Sequence, residues 1–513
     1  MPTPTTRDSD GSPRPRSSTP SASAVPADPA TPAAAPAAPA TSATRLPGAD
    51  RSARGRAHPY LVLGAIVGTQ LMILLDATVV NVALPGIGSH LGFSATGMSW
   101  VLNVYTLAFG GLLLLGSRIG DLVGRRTAMV WGVGAFTVAS IAGGLANDAT
   151  TLLVARGLQG AAAALAAPST LALIATSFAE GTERNRALSV FSAVSGAGSA
   201  IGLTAGGILT DLGTWRWVFF VNVPVGAAIL LLAPRFVTET ERHRGGRFDV
   251  AGALTGTLGM ATLVYGFIRV GESRWSDGRA ITSFVAAVAL LGAFLVNETR
   301  VERPLVVLRL FADRNRAIAY GVMLLVPAGM FGVFYFTTQY LQTYLHFSPL
   351  RTGFAFLPLA GLLFVAARLA PRMIGRFGAK TVVALGLPLN LAGTVWITQL
   401  SSSDGYAAGL LGPLMLIGFG VGWTMMPLNT FILSGVQPKE AGSASGLLQT
   451  MQQVGGSLGL SVLVTVFGTV SRHTHGDAFI SGATAAFTLA AVFVAAALVM
   501  VLLLKAPPKP RLR

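Results

Sequence analysis

Beyond residue 58 the chain is divided into fourteen apolar runs, each about as long as a membrane crossing requires. Their centres lie near residues 72, 107, 137, 162, 199, 226, 260, 288, 328, 361, 389, 417, 456 and 492. Hydrophobic residues make up 52% of the chain and charged residues only 11%, whereas about a quarter of a soluble domain is charged. Inside a bilayer such runs form helices, because no water is present to bond the backbone. The sequence therefore predicts an all-α membrane protein with 14 transmembrane helices.

The charge of the connecting loops predicts how the chain lies in the membrane. An even number of crossings places both termini on one side of the bilayer. The loops on that side carry nineteen Arg and Lys residues, against six in the opposite loops. Because positive loops stay in the cytoplasm, both termini are predicted to be cytoplasmic.

The two ends of the chain lack the pattern of a folded core. Residues 1–57 are rich in Pro, Ala, Ser and Thr, and they are predicted to be a disordered cytoplasmic tail, with 506–513 as a second tail. The net charge of +16 is spread over tails and loops. No basic stripe with stacking aromatics appears, so no nucleic-acid partner is expected. The lack of cysteine excludes disulfides and thiolate metal sites.

An arginine-rich turn occurs once in each half of the chain. The first ends in Gly124-Arg125-Arg126, and the second, Gly375-Arg376-Phe377-Gly378, aligns Gly378 with Gly124. Two similar halves with two additional helices between them, six plus two plus six, explain both the repeat and the number of runs. The predicted units are an N-terminal bundle, an inserted pair and a C-terminal bundle, at residues 58–237, 238–303 and 304–505.

Asp76 is the only acidic residue deep in an apolar run. A charge at the bilayer centre costs at least ~2.5–3.5 kcal/mol, so Asp76 is expected to face a polar cavity and to carry a proton. The alternative is a position near a helix end that reaches water. Arg156, in the fourth run, lies at about the same depth when the helical rise is counted from the loops. It is the expected partner of Asp76, or else a residue at the aqueous edge.

Two further motifs predict a conformational gate and a helix-packing face. In the loop after the second run, Asp121 precedes Gly124, Arg125 and Arg126, and this group is predicted to form a conformational gate. An ordinary positively charged turn is the alternative. In the fifth run, small residues recur every four positions and predict a face for close helix packing, at Gly198, Gly202 and Gly206.

Several amides lie within apolar runs and are candidates for a substrate cavity. Hydrogen bonding between helices explains them equally well. These residues are Asn81, Gln159, Gln339, Gln342 and Gln453.

Together the motifs resemble the fourteen-helix drug:proton antiporters of the EmrB/QacA type, within the major facilitator superfamily. The loop motif matches Gly-x-x-x-Asp-x-x-Gly-Arg-Arg, with Ser117 at its first position. Arg156 to Gly160 fits the Arg-x-x-x-Gly motif, and the fifth run is similar to Gly-Pro-x-x-Gly-Gly, with Leu203 in place of proline. The strongest matches are the first run around Leu75–Pro85 and the start of the sixth run, Trp215–Gly226.

The resemblance implies a major facilitator fold and an exporter in the bacterial cytoplasmic membrane. A monomer is expected, although the sequence does not specify the oligomeric state. The exporter's substrates would be small amphipathic drugs or antibiotics, and the proton gradient would be the energy source, with no cofactor and no metal. The substrate site is expected near the midplane between the bundles. A proton would neutralise Asp76 and a cationic or polar drug would favour its charged form, so the two would compete for one carboxylate.

Two other classes of function compete with this interpretation. A proton-coupled uptake symporter or a facilitator for a small metabolite would need more polar and cationic residues at mid-membrane. An intramembrane enzyme would need a second deep carboxylate, a nucleophile–base pair or a metal cluster, none of which the sequence offers.

Overall fold

Apolar runs and polar interruptions translate directly into a set of long antiparallel helices. The computed structural model describes residues 59–240, 249–301, 304–306, 308–433, 436, 441–474 and 477–504, and no strand occurs among them. The predicted tails, 1–57 and 506–513, lie outside these residues. The α-helices are α1 Pro59–Leu91, α2 Ser99–Val123, α3 Arg125–Gly144, α4 Ala149–Ser177, α5 Thr182–Leu212, α6 Trp217–Phe220, α7 Asn222–Phe236, α8 Val250–Glu272, α9 Gly278–Arg300, α10 Arg314–Thr343, α11 Pro349–Ala355, α12 Leu357–Phe377, α13 Ala379–Ile397, α14 Gly412–Leu433, α15 Ala441–His473 and α16 Ala478–Leu502, with a 3-10 turn at Leu308–Ala312 and a π-turn at Ala407–Leu411.

The number of membrane crossings agrees with the number of apolar runs. Among the described residues, thirteen helices or joined helix pairs are long and apolar enough to cross a membrane. The fourteenth is α5, which bends by 49° between Ser195 and Ala200 and counts as one crossing. The sixth run is formed by α6 and α7 together, and the tenth by α11 and α12.

Helix ends are fixed by side chains that bond otherwise unpaired backbone N–H groups. Because the first N–H groups of a helix have no partner within it, an acceptor at the N-cap stabilises the end by about 1 kcal/mol. Such caps are provided by Asp148, Asp249, Asp277, Asp313, Ser348 and Asp477. The polar residues between the runs therefore set where each helix starts.

The repeated turn has the same backbone geometry in both halves. Gly124, between α2 and α3, has φ 102° and ψ 140°, and Gly378, between α12 and α13, has φ 84° and ψ 153°. A positive φ is costly for residues with a side chain, so glycine is required at both positions. The alignment of these two glycines is thereby explained by a shared conformation.

Successive membrane crossings run in opposite directions, which gives the molecule two ends. We call them the Gly124 end, after the α2–α3 turn, and the Gly92 end, after the α1–α2 turn. At the Gly92 end the two halves touch: Gln342 on α10 donates to the carbonyl of Val82 at 2.9 Å, and the Tyr335 hydroxyl donates to the carbonyl of Ala95. This end is therefore closed.

Of the two inserted helices, α8 lies against α2 and α15, so the pair does not form a separate unit. Thr465 on α15 donates to the carbonyl of Phe267 on α8, and Arg472 donates to the carbonyl of Gly271. α9 packs on the outer side of α8, and much of its apolar surface is exposed. The residue boundaries given above for the two bundles and the inserted pair stay a prediction.

Candidate functional site

Asp76 and Arg156 form an ion pair between α1 and α4. Arg156 Nη1 on α4 lies 2.6 Å from Asp76 Oδ2 on α1, and both side chains are completely buried. Removing either partner from such a pair leaves an uncompensated buried charge, at a cost of about 3–5 kcal/mol. The two residues that were expected to share a depth are thus in direct contact.

Two amides complete the bonding of the Asp76 carboxylate. Gln159 Nε2 and Asn222 Nδ2 each donate to Asp76 Oδ1 at 2.9 Å. Gln159 also accepts from Arg156 Nη1 at 2.9 Å and donates to Ser140 Oγ at 2.8 Å. Three helices, α1, α4 and α7, therefore meet at this one carboxylate, and α3 joins them through Ser140. The charged form of Asp76 is bonded on both oxygens.

The arginine is held from the other side by α2. Arg156 Nε donates to the carbonyl of Val101 at 3.0 Å, and the guanidinium carbon lies 4.3 Å from the centre of the Tyr105 ring. A guanidinium over an aromatic face is attracted by the ring, by about 2 kcal/mol when both are desolvated. Among the described residues, Arg156 Nη2 and the Tyr105 hydroxyl have no hydrogen-bond partner. The site thus keeps two unused polar groups beside the ion pair.

The position of Asp76 corrects one expectation. Instead of facing an open polar cavity, its side chain is fully enclosed by the donors just described. The physical reason is that three donating side chains, Arg156, Gln159 and Asn222, can replace water around a buried charge. A substrate therefore has no direct access to Asp76 in this conformation.

The predicted cavity residues are placed in several different surroundings. Gln159 belongs to the buried cluster, and Asn81 donates within its own helix to the carbonyl of Ala77. Gln342 joins α10 to α1, and Gln453 packs beside Gly110 of α2. Gln339 is buried. None of the five is among the residues that line the large cavity described next.

A large cavity opens toward the Gly124 end, between α5 and α12. Its volume is about 770 Å³. Polar side chains of α5 form one wall, and α12 and α14 form the other. The lining includes Asn185, Ser189, Ser192, Phe364, Arg368 and Met426. Nothing in the sequence distinguished these residues, because single polar residues near helix ends are common on any membrane protein.

The predicted gate residues lie together at the Gly124 end. Arg125 donates to Asp121 one turn earlier on α2. Asp121 and Ser443, in the first turn of α15, line one small cavity of about 100 Å³. Asp121 therefore lies where it can interact with either an arginine or the start of a helix from the other half.

Glu239, which the sequence did not single out, holds this turn in place. Its carboxylate accepts from the backbone N–H of Arg126 at 2.9 Å and from that of Thr127 at 3.1 Å. Burial by itself would raise the pKa of Glu239, but the bonds from Thr127, Arg126 and Thr240 outweigh burial and hold its pKa below the ordinary value. The segment after α7 is thus fastened to the N-terminus of α3.

Comparison with known families identifies the superfamily of this helical membrane protein. Residues 66–460 match the family described as Major Facilitator Superfamily, which covers most of the chain. The chain belongs to the major facilitator superfamily. It is accordingly a multi-pass membrane transporter and not an enzyme.

Several curated members of this superfamily are similar over nearly their whole length. The puromycin resistance protein pur8 of Streptomyces alboniger is 41% identical over 448 residues, covering 85% of this chain and 89% of the relative. The cephamycin export protein CmcT of Amycolatopsis lactamdurans is 36% identical over 453 residues, covering 85% and 93%. The lincomycin resistance protein of Streptomyces lincolnensis is 33% identical over 465 residues, covering 90% and 94%.

Solved structures share the facilitator fold. A bacterial homolog of the human lysosomal transporter Spinster, in an inward-facing and occupied conformation, gives a TM-score of 0.60 at 15% identity, covering 88% of this chain and 97% of that one. The human organic anion transporter MFSD10 gives 0.57 at 15% identity, covering 86% and 99%. At these identities the likeness concerns the fold alone.

Neutralising Glu239 is expected to destabilise this transporter in a pH-dependent way. Glu239→Gln removes a charged acceptor from a helix N-terminus and should cost about 1–2 kcal/mol at pH 7. Because the folded-state pKa is lowered, the contribution is complete above the ordinary pKa of about 4.3 and is lost as pH falls through the folded-state value. Thermal unfolding in detergent should show a difference between wild type and variant at pH 7 that narrows below about pH 4.

The control for this measurement is Glu183→Gln. Glu183 lies in the first turn of α5 and accepts no bond among the described residues, so its replacement should change Tm little at either pH. A constant difference between wild type and Glu239→Gln across the pH range would contradict the assigned role.

Asp121→Asn is expected to slow turnover several-fold and to leave substrate binding unchanged. The substitution keeps the volume and removes the charge that pairs with Arg125. If the predicted gate operates, the loss of this pair changes the balance between two conformations. Transport rate in vesicles and equilibrium binding in detergent separate the two effects. Glu180→Gln, which breaks the exposed pair with Arg184, is the control. Loss of binding with normal turnover would show that Asp121 is not part of a gate.

Proposed function

We propose that this transporter exports small amphipathic organic compounds, drugs or antibiotics among them, in exchange for protons. The observation that carries the proposal is the fully buried Asp76–Arg156 pair, because an ionisable pair inside a membrane bundle is costly and marks a proton or ion pathway. The resistance and export functions named for the relatives support the drug-export part. We take the Gly124 end, with its arginine-rich loops, to face the cytoplasm.

Protonation of Asp76 acts on the conformation through Arg156. The neutral carboxylic acid no longer balances the guanidinium charge, and Arg156 is left buried without a counter-ion. A cost of about 3–5 kcal/mol shifts a conformational equilibrium more than a hundredfold. The helices that meet at Asp76 therefore favour a different arrangement once the proton has entered.

The movement reaches the substrate cavity through α5. Gly202 and Gly206 on α5 contact Thr78 and Val79 on α1, immediately after Asp76. The other half of α5 forms one wall of the 770 Å³ cavity. Substrate and proton are thus coupled by the packing of two helices, and direct competition for one carboxylate is not needed.

The exchange cycle follows from these contacts. A proton from outside binds Asp76 in the outward-open form, the transporter turns inward, and the proton leaves to the cytoplasm as the Asp76–Arg156 pair re-forms. Substrate then binds between α5 and α12 and is carried outward. Each proton moving inward provides about 2.3 kcal/mol per 100 mV, and this drives the outward movement of substrate.

Efflux from reconstituted vesicles tests the proposal. A panel of dyes and antibiotics should include compounds that leave the compartment equivalent to the cytoplasm only when a proton gradient is imposed, and an uncoupler should stop them. Compounds that accumulate in the direction of proton movement would indicate an uptake symporter instead. Compounds that cross at the same rate with and without the proton gradient would indicate a facilitator.

A further inference from the structure

The two halves of the transporter meet along two seams, and one of them is sealed. Along the α2–α15 seam, Asn103 donates to Ser461 at 3.1 Å and accepts from Ser457 at 2.9 Å, with all three side chains fully buried. Farther toward the Gly124 end, Thr450 donates to the carbonyl of Gly110 at 3.1 Å. These bonds hold the two halves together along this seam.

The inserted helix α8 covers the sealed seam from outside. Val264 and Ile268 of α8 form one apolar cluster with Leu107 of α2, and Leu458 of α15 packs against the same cluster. α8 therefore touches both halves at once. A molecule that reaches the space between the halves from the side has to use the other seam.

The second seam, between α5 and α12, is closed at one end and open at the other. Near the Gly92 end, a Cβ on Gly353 of α11 would lie 2.6 Å from the carbonyl oxygen of Leu203 on α5, so the backbones are in contact. Toward the Gly124 end the helices separate and enclose the 770 Å³ cavity, which we call the α5–α12 crevice.

The crevice is lined by polar and basic side chains. Asn185, Ser189 and Ser192 follow the helical spacing of four and three residues, so α5 presents an amide and two hydroxyls on one face. Opposite them, α12 contributes the guanidinium of Arg368 beside the ring of Phe364. No acidic residue is among the described residues that line the crevice.

Arg368 is available for a ligand. None of the ion pairs formed between described residues involves it. Its guanidinium presents a fork of N–H donors that matches a carboxylate, sulfonate or phosphate group. An organic cation, by contrast, would meet a like charge and no counter-ion.

We propose that the α5–α12 crevice is the substrate-entry site and that it selects amphipathic compounds carrying an anionic group, which pairs with Arg368. The apolar part of the ligand lies on Phe364 and Met426, and Asn185, Ser189 and Ser192 bond its polar atoms. This inference rests on the proposed export function and names the substrate class for it.

Two xanthene dyes of similar shape and opposite charge provide the test: eosin, an anion, and tetramethylrosamine, a cation. Fluorescence polarisation with the full-length protein in phosphatidylcholine nanodiscs measures both dissociation constants. Wild type should bind eosin more tightly than tetramethylrosamine. Arg368→Gln should weaken eosin binding about tenfold, as expected for one charge-assisted bond. The same change should leave tetramethylrosamine binding unchanged or tighter, because a like charge is removed. Arg368→Lys should keep most of the eosin affinity.

Arg372→Gln is the matched control. Arg372 lies one turn farther along α12 and does not line the crevice, so both affinities should equal those of wild type. An equal loss for both dyes in Arg368→Gln, or no loss for eosin, overturns the inference. An anionic phospholipid offers the same chemistry: if Arg368→Gln releases bound phosphatidylglycerol in native mass spectrometry while eosin affinity is unchanged, the guanidinium serves a lipid and the inference is overturned.

Different results contradict the proposed export function and the proposed entry site. Wild-type protein that binds eosin through Arg368 but never moves it with a proton gradient contradicts the proposed function and supports the entry site. If Arg368→Gln binds eosin as tightly as wild type and exports it equally fast under a proton gradient, the result contradicts the entry site and supports the function.

Discussion

Asp76→Asn is expected to abolish export driven by a proton gradient while leaving exchange of substrate across the membrane intact. Asparagine keeps the volume of the carboxyl group and removes its charge, so the variant resembles the permanently protonated state. Arg156 loses the partner that lies at 2.6 Å, and the cycle can no longer be biased by taking up and releasing a proton. The helices still move, because no titration is needed for exchange.

Counterflow and gradient-driven efflux, measured in the same vesicles, separate these two capacities. Efflux against a gradient should fall at least a hundredfold. Counterflow should fall less and stay measurable, because it needs no titration even though the conformational equilibrium is shifted. Asp211→Asn, at an exposed carboxylate near the end of α5, is the control and should behave as wild type in both. Equal loss of counterflow in Asp76→Asn would indicate a structural rather than a coupling role.

Gly202→Leu is expected to prevent correct folding or to stop conformational exchange. A Cβ at this position would overlap the Thr78 hydroxyl and would lie 3.0 Å from the Thr78 Cβ, and a leucine side chain extends farther into α1. Overpacking in a core costs about 1–3 kcal/mol even when neighbours can shift. Besides the Thr78 side chain, the carbonyl oxygen of Leu75 lies 3.3 Å from that Cβ. Folded yield, Tm and efflux should all decrease, with efflux lowered more than tenfold.

Gly292→Leu is the matched comparison, because no atom lies within 4 Å of a Cβ built there. It should insert and transport normally. Wild-type efflux by Gly202→Leu would mean that α5 does not pack on α1 during the cycle, and the proposed coupling through α5 would fail with it.

The sequence was sufficient for the parts of the fold that depend on local pattern. Apolar runs specify helices wherever lipid surrounds the backbone, and glycines every four residues identified the face of α5 that contacts α1. The depth of Asp76 and Arg156, counted along two antiparallel helices, was enough to pair them. Each of these inferences needs only helical geometry and a bilayer.

The parts that were missed depend on where distant segments meet. Asn222 lies 146 positions from its partner Asp76, and Glu239 lies 113 positions from Arg126. A single asparagine or glutamate carries no periodic signal that would reveal such a contact. Asn222 could have been noticed as an amide within an apolar run, as Gln159 was; Glu239 is one acid among several in loops. The enclosure of Asp76 was missed for the same reason, since the donors around it come from α4 and α7.

Proton release on substrate binding tests most directly whether Asp76 and the substrate cavity are linked. Detergent-solubilised protein in unbuffered solution with a pH-sensitive dye receives a compound that the vesicle panel has shown to be exported. Wild type should release protons when the compound binds, because binding in the α5–α12 cavity favours the conformation with the charged Asp76–Arg156 pair. Asp76→Asn should bind the compound and release none. Proton release by Asp76→Asn as large as that of wild type would contradict the account, because the coupled proton would then be carried by another group.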